Sequence, residues 1–140
     1  MRHIKTVATL CERAERLGVA KNRKRRRYDD YGGMWGSTHQ RDLIEVYRIE
    51  YDEVYGIAKL YHYDTKTCEI HVFDNIVADI YAESLSDVNS VYTFINYWLG
   101  WEPIIGFKPV NGGFYLLTDE QEEVFYDEVD QHNFLSLINS

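Results

Sequence analysis

The residues with the most reactive side chains cluster between His62 and His71. Cys68 and His71 suggest a thiol nucleophile with an imidazole base. On a strand, however, residues three apart face opposite sides, so the two are not expected to meet. His62, Glu69 and His71 offer two imidazoles and a carboxylate, a set that suits zinc or iron. They share a face only if the strands around them pair through a loop at Asp64-Thr65-Lys66-Thr67. Tyr61, Tyr63, Cys68, Ile70 and Val72 would then line the core side, with Tyr63 opposite Cys68 and Tyr61 opposite Ile70. Nothing fixes the ligand spacing, so no metal is expected.

Asp64-Thr65-Lys66, with Asp52 upstream, matches the Asp-x-Lys half of the PD-(D/E)xK nuclease pattern. In that chemistry the acids hold a divalent metal and the lysine activates water. No Pro-Asp precedes the triplet, and a hairpin turn would leave these residues solvated. A small metal-dependent hydrolase is therefore a secondary reading. Neither glycine-rich phosphate loop occurs, and no cofactor is expected. The sequence predicts a protein that is not an enzyme.

Charge is the stronger signal. Residues 1–27 hold ten basic residues against two acids, a balance of +8; residues 28–140 hold five against 21, a balance of −16. Lys21, Arg23, Lys24, Arg25, Arg26 and Arg27 form the basic run, and Tyr28, Tyr31 and Trp35 follow it. Such a run binds phosphates by counterion release, and the aromatic residues could stack on bases. It could equally dock on the chain's own acids. The acidic counterpart is Asp119, Glu120, Glu122, Glu123, Asp127 and Glu128, expected on a helix that opens with a capping box at Thr118-Asp-Glu-Gln121. Carboxylates on a folded scaffold can take the place of phosphates in a cationic channel.

The elements that position these groups follow from periodicity. Ile4, Val7, Ala8, Cys11 and Ala14 predict an amphipathic helix over 3–17 that packs on the domain core, stopped by Gly18. Residues 21–42 lack apolar periodicity and read as a basic, glycine-rich arm or linker. Strands are expected from Leu43, over 57–63, 68–73 and 76–81, and at 104–107 and 113–117 around an Asn111-Gly112 turn. Ser84 caps a helix carrying Val88, Val91, Tyr92, Ile95, Trp98 and Leu99, and Gly100 ends it. Residues 134–138 give an apolar tail that docks. The order predicts an α+β fold with a small, mainly antiparallel sheet packed with two or three helices. The segments are an N-terminal helix at 1–20, the arm at 21–42 and an acidic body at 43–140. That body is expected to fold after removal of residues 1–36.

No apolar run reaches the roughly 18 residues of a membrane span, and the start lacks a signal-peptide core. Two distant cysteines suit free thiols in a reducing compartment.

Asn111-Gly-Gly-Phe-Tyr-Leu-Leu-Thr118 resembles an Asn-Ser-Gly-Gly-Trp-x-Thr-x-Thr hairpin of phage proteins, without its Ser and with Phe114 for Trp. The acidic, tyrosine-rich α+β profile is also similar to small phage-encoded accessory and anti-defence proteins, anti-CRISPR proteins among them. The resemblance implies a non-catalytic protein in the host cytoplasm. It would bind and inhibit or modulate a host nucleic-acid-processing protein through the acidic body and the basic arm. Direct nucleic-acid binding by the arm is the alternative.

Overall fold

The computed structural model describes residues 2–25, 43–109 and 113–140. Helix α1 (Arg2–Leu17) places Val7, Leu10, Cys11 and Ala14 on one stripe, and all four are buried. Gly18 ends it at φ +88, donating its N–H to the Ala14 carbonyl at 2.8 Å. A side chain at that angle would clash with its own backbone, which glycine avoids. Helix α2 (Leu85–Leu99) starts on Ser84, whose Oγ accepts the Asp87 N–H at 3.2 Å, and stops at Gly100 in the left-handed conformation. Both caps satisfy backbone groups that a helix end leaves open. The two helices pack together, and the Tyr97 hydroxyl on α2 donates to Glu15 Oε1 on α1 at 2.5 Å.

Beneath them lies an antiparallel meander of β1 (Val19–Arg25), β2 (Leu43–Asp52), β3 (Ile57–His62), β4 (Thr65–His71) and β5 (Ile76–Ile80), in that spatial order. Its inner face buries Ala20, Tyr47, Ile49, Ala58, Leu60, Cys68, Ile70, Val77 and Ile80 against α1 and α2. A smaller sheet of β6 (Ile105–Lys108), β7 (Gly113–Leu117) and β8 (Glu123–Phe125) joins the same core. Helix α3 (Gln131–Ile138) adds Phe134, whose ring packs tilted against Phe114 and edge-on to Tyr126, with centroids 5.1 and 5.2 Å away. The architecture is α+β. No helix among the described residues is long and apolar enough to cross a membrane.

Three local expectations change. Residues 21–25 do not belong to a free arm; they complete β1, held by backbone pairing to β2 despite lacking apolar alternation. Context decides strand formation here, not propensity. The Asn22 side chain accepts the Tyr47 N–H at 2.8 Å where the register slips, replacing a lost ladder bond. Residues 26–42 lie outside the described residues.

The β3–β4 connection is a two-residue turn, Tyr63-Asp64, with His62 opposite Thr65 and Leu60 opposite Cys68. Both turn residues have positive φ, the signature of a tight hairpin turn that usually selects Asn or Gly. Shortening the loop flips the face assignment of β3. Tyr61 and Tyr63 therefore do not join the core side, whereas His62 does.

Residues 119–130 do not form a helix. Thr118 to Glu122 is a turn closed by the Thr118 N–H to the Glu122 carbonyl at 2.9 Å, followed by β8 and a 3-10 turn at Tyr126–Glu128. A helix would stack Asp119 on Glu122 and Glu123, and Glu120 on Glu123, which repel at three- and four-residue spacing. Pairing Val124 and Phe125 with β7 avoids this.

Candidate binding surfaces

The residues with catalytic potential are each engaged elsewhere. Cys11 and Cys68 are buried, and burial pushes both thiols up, away from the reactive thiolate. Asp52 Oδ1 accepts the backbone N–H groups of Val54 and Tyr55 at 3.0 and 3.3 Å, a turn-stabilising role. Asp64 accepts from Arg48 at 3.1 Å. Lys66 Nζ reaches Glu69 at 2.8 Å and Asp79 at 3.3 Å. Glu69 also pairs with His71 Nε2 at 2.8 Å. Burial disfavours the Glu69 charge, but hydrogen bonds from Lys66 and His71 outweigh it and hold the carboxyl below its ordinary range. Among the described residues, no three His, Cys, Asp or Glu side chains come together as a metal site.

His62 is the residue the sequence placed on the wrong face. It is buried, with Nδ1 2.5 Å from Asp87 Oδ1. Its ring stacks on Tyr47 at 4.4 Å and lies 4.6 Å from Tyr63. Asp87 Oδ2 accepts the Glu83 N–H at 2.8 Å. A His–Asp pair is the orienting half of a nucleophilic triad. The pair joins β3 to the start of α2.

The binding candidates fall on two surfaces. On β1, Lys21, Arg23 and Lys24 are exposed. None pairs with an acid among the described residues; Lys24 Nζ sits 5.4 Å from the Tyr63 ring centroid instead. The acids of the neighbouring strand are already taken, because Arg48 holds both Glu45 and Glu50. Arg25 closes the strand. Arg26, Arg27, Tyr28, Tyr31 and Trp35 lie outside the described residues.

Asp119, Glu120, Glu122, Glu123, Asp127 and Glu128 are all exposed. Glu123 pairs with Lys108 at 2.6 Å. Asp119, Glu120 and Glu122 pair with no cation among the described residues, and they rim an open cleft of about 460 Å³. Its floor is apolar: Trp101, Ile104, Leu116, Leu137 and Ile138. Ile104 is 60% and Leu137 39% exposed, so part of this floor meets water. Trp101, Ile104 and Leu137 were not foreseen as site residues. They come from two segments far apart in the chain, and no spacing within either segment signals them. The β7–β8 turn brings the acids, the exit from α2 brings Trp101 and Ile104, and α3 brings Leu137. In comparisons with known proteins, the chain matches no family model, no curated protein and no solved structure.

Proposed function

We propose that this is a non-catalytic binding protein that seats a basic surface of another protein in the acidic cleft. One observation carries the reading: an exposed apolar floor, Ile104 and Leu137, stands beside three carboxylates, Asp119, Glu120 and Glu122, without cationic partners among the described residues. Carboxylates of one sign steer a cationic partner and fix its register, while the apolar floor supplies the burial that holds it. Resemblance to phage anti-defence proteins supports a host nucleic-acid-processing protein as that partner, inhibition as the outcome and the host cytoplasm as the place. Strand β1 gives a second contact of opposite sign.

The test is capture from a nuclease-treated bacterial lysate with the wild-type chain and with Asp119→Asn/Glu120→Gln/Glu122→Gln. The expected result is a protein partner that survives nuclease and is lost with the variant. Partners that vanish with nuclease, or that the variant retains, would move the function to direct nucleic-acid binding or away from the cleft.

A further inference from the structure

The five-stranded sheet has two edges, and the chain treats them differently. At β5 the edge is covered. The Asn139 side chain accepts the Val77 N–H at 2.7 Å and donates to the Val77 carbonyl at 2.8 Å, replacing a neighbouring strand. Gln131 adds a hydrogen bond to Asp79. At β1 the edge has no such cover among the described residues.

The register says which groups that edge offers. The Tyr51 N–H bonds the Gly18 carbonyl at 2.8 Å, and Val19 lies opposite Glu50, Lys21 opposite Arg48. In an antiparallel ladder, main-chain groups alternate between pointing toward the partner and away from it. Val19 and Lys21 therefore turn their N–H and carbonyl groups outward. Lys21, Arg23 and Lys24 are exposed along the same strand and pair with no acid among the described residues.

We propose that β1 is a strand-addition site for an extended acidic segment of a partner protein. Backbone pairing supplies affinity in this mode, and the charge pattern supplies selectivity. A second copy of β1 would set Lys21, Arg23 and Lys24 against their own kind, which like-charge repulsion across strands opposes. An oligonucleotide satisfies the charges but lacks the alternating amide donors and carbonyls that match the edge. An acidic peptide strand satisfies both. This surface is independent of the acidic cleft, and so is its test.

The probe is a synthetic peptide alternating Glu and Val, long enough to span the seven residues of β1. Two controls accompany it: the same peptide N-methylated at alternate residues, and a single-stranded oligonucleotide of equal charge. Binding is read by fluorescence anisotropy, and amide hydrogen exchange of Val19 and Lys21 is read by NMR in the full chain. The unmodified peptide should slow exchange at both amides, and the N-methylated peptide should not. Lys21→Gln/Arg23→Gln/Lys24→Gln, with unchanged melting, should weaken peptide binding by roughly tenfold, since each exposed ion pair contributes up to about fivefold. Equal binding of the N-methylated peptide, protection by the oligonucleotide alone, or no protection at all overturns the proposal.

Discussion

Replacing Asp87 with alanine should be the most damaging single change to the buried polar groups. Asp87 and His62 are each 8% exposed, so neither can exchange its partner for bulk water. The substitution leaves His62 Nδ1 and the Glu83 N–H without their acceptor. Each stranded group costs about 1–3 kcal/mol, and breaking a buried pair from one side costs about 3–5 kcal/mol in total. Both routes converge near 3–4 kcal/mol. A domain of this length unfolds with an entropy of about 0.3 kcal/mol/K, so the melting temperature should fall by about 10 °C. The pair also carries a pH signature. Burial alone would raise the Asp87 pKa, but hydrogen bonds from His62 and the Glu83 N–H, with the attraction of His62, hold it below the ordinary value of 3.8. A depressed carboxyl contributes stability that is present above its unfolded pKa and lost as pH falls through the folded one. Wild-type stability should therefore decline on acidification below about pH 4, and Asp87→Asn should flatten that decline. Thermal and urea unfolding followed by circular dichroism, at neutral and acidic pH, check both effects. An Asp87→Ala loss below about 1 kcal/mol would refute the reasoning. So would strict additivity with His62→Gln, because contacting residues couple.

Two further outcomes follow from the fold. Tyr63→Asn with Asp64→Gly should raise stability by about 1 kcal/mol, because both positions adopt positive φ that ordinary side chains resist. The lost Asp64–Arg48 pair costs little, since Asp64 is 82% exposed; a raised melting temperature checks the balance. A chain beginning at Leu43 should lack fixed tertiary structure by near-ultraviolet circular dichroism, because Val7, Leu10, Cys11 and Ala14 belong to the core where α1 packs on α2, β1 and β2. This reverses the expectation from the sequence that the body at 43–140 folds after removal of residues 1–36.

What the sequence made legible was whatever rested on local chemistry. Ser84 and Gly100 bracket α2 because caps are written in single residues. The stripe on α1 was readable because it repeats within one helix. The hairpin register was not readable. It depends on a turn whose residues, Tyr63 and Asp64, do not advertise positive φ, and one misjudged loop moved His62 to the wrong face. Strand β1 was hidden for a different reason. Its side chains are mostly polar, and its stability comes from a neighbour 25 residues away, as the Asn22 to Tyr47 bond shows. The cleft was invisible because its floor and rim are contributed by α2's exit, the β7–β8 turn and α3.

The distribution of ion pairs gives the charges of β1 their meaning. Arg48 engages three carboxylates, Lys66 two and Lys108 one. These three basic residues of the body are thus held by acids beside them, whereas Lys59 forms no ion pair among the described residues. Arg23 lies opposite Glu45, yet Glu45 bonds Arg48 at 2.5 Å. Exposed pairs are worth only about 0–1 kcal/mol, so the fold gains little from how these charges are placed. Clustered like charge on one strand carries a repulsive cost that pairing with Glu45 or Glu50 would have relieved. Guarding an edge against self-pairing accounts for a charge there. It does not account for three exposed cations that pair with no acid among the described residues, while Glu45 and Glu50 of the neighbouring strand are drawn to one arginine. The proposed acidic strand would supply a counter-charge to these residues, and the outward main-chain groups of Val19 and Lys21 would set its register.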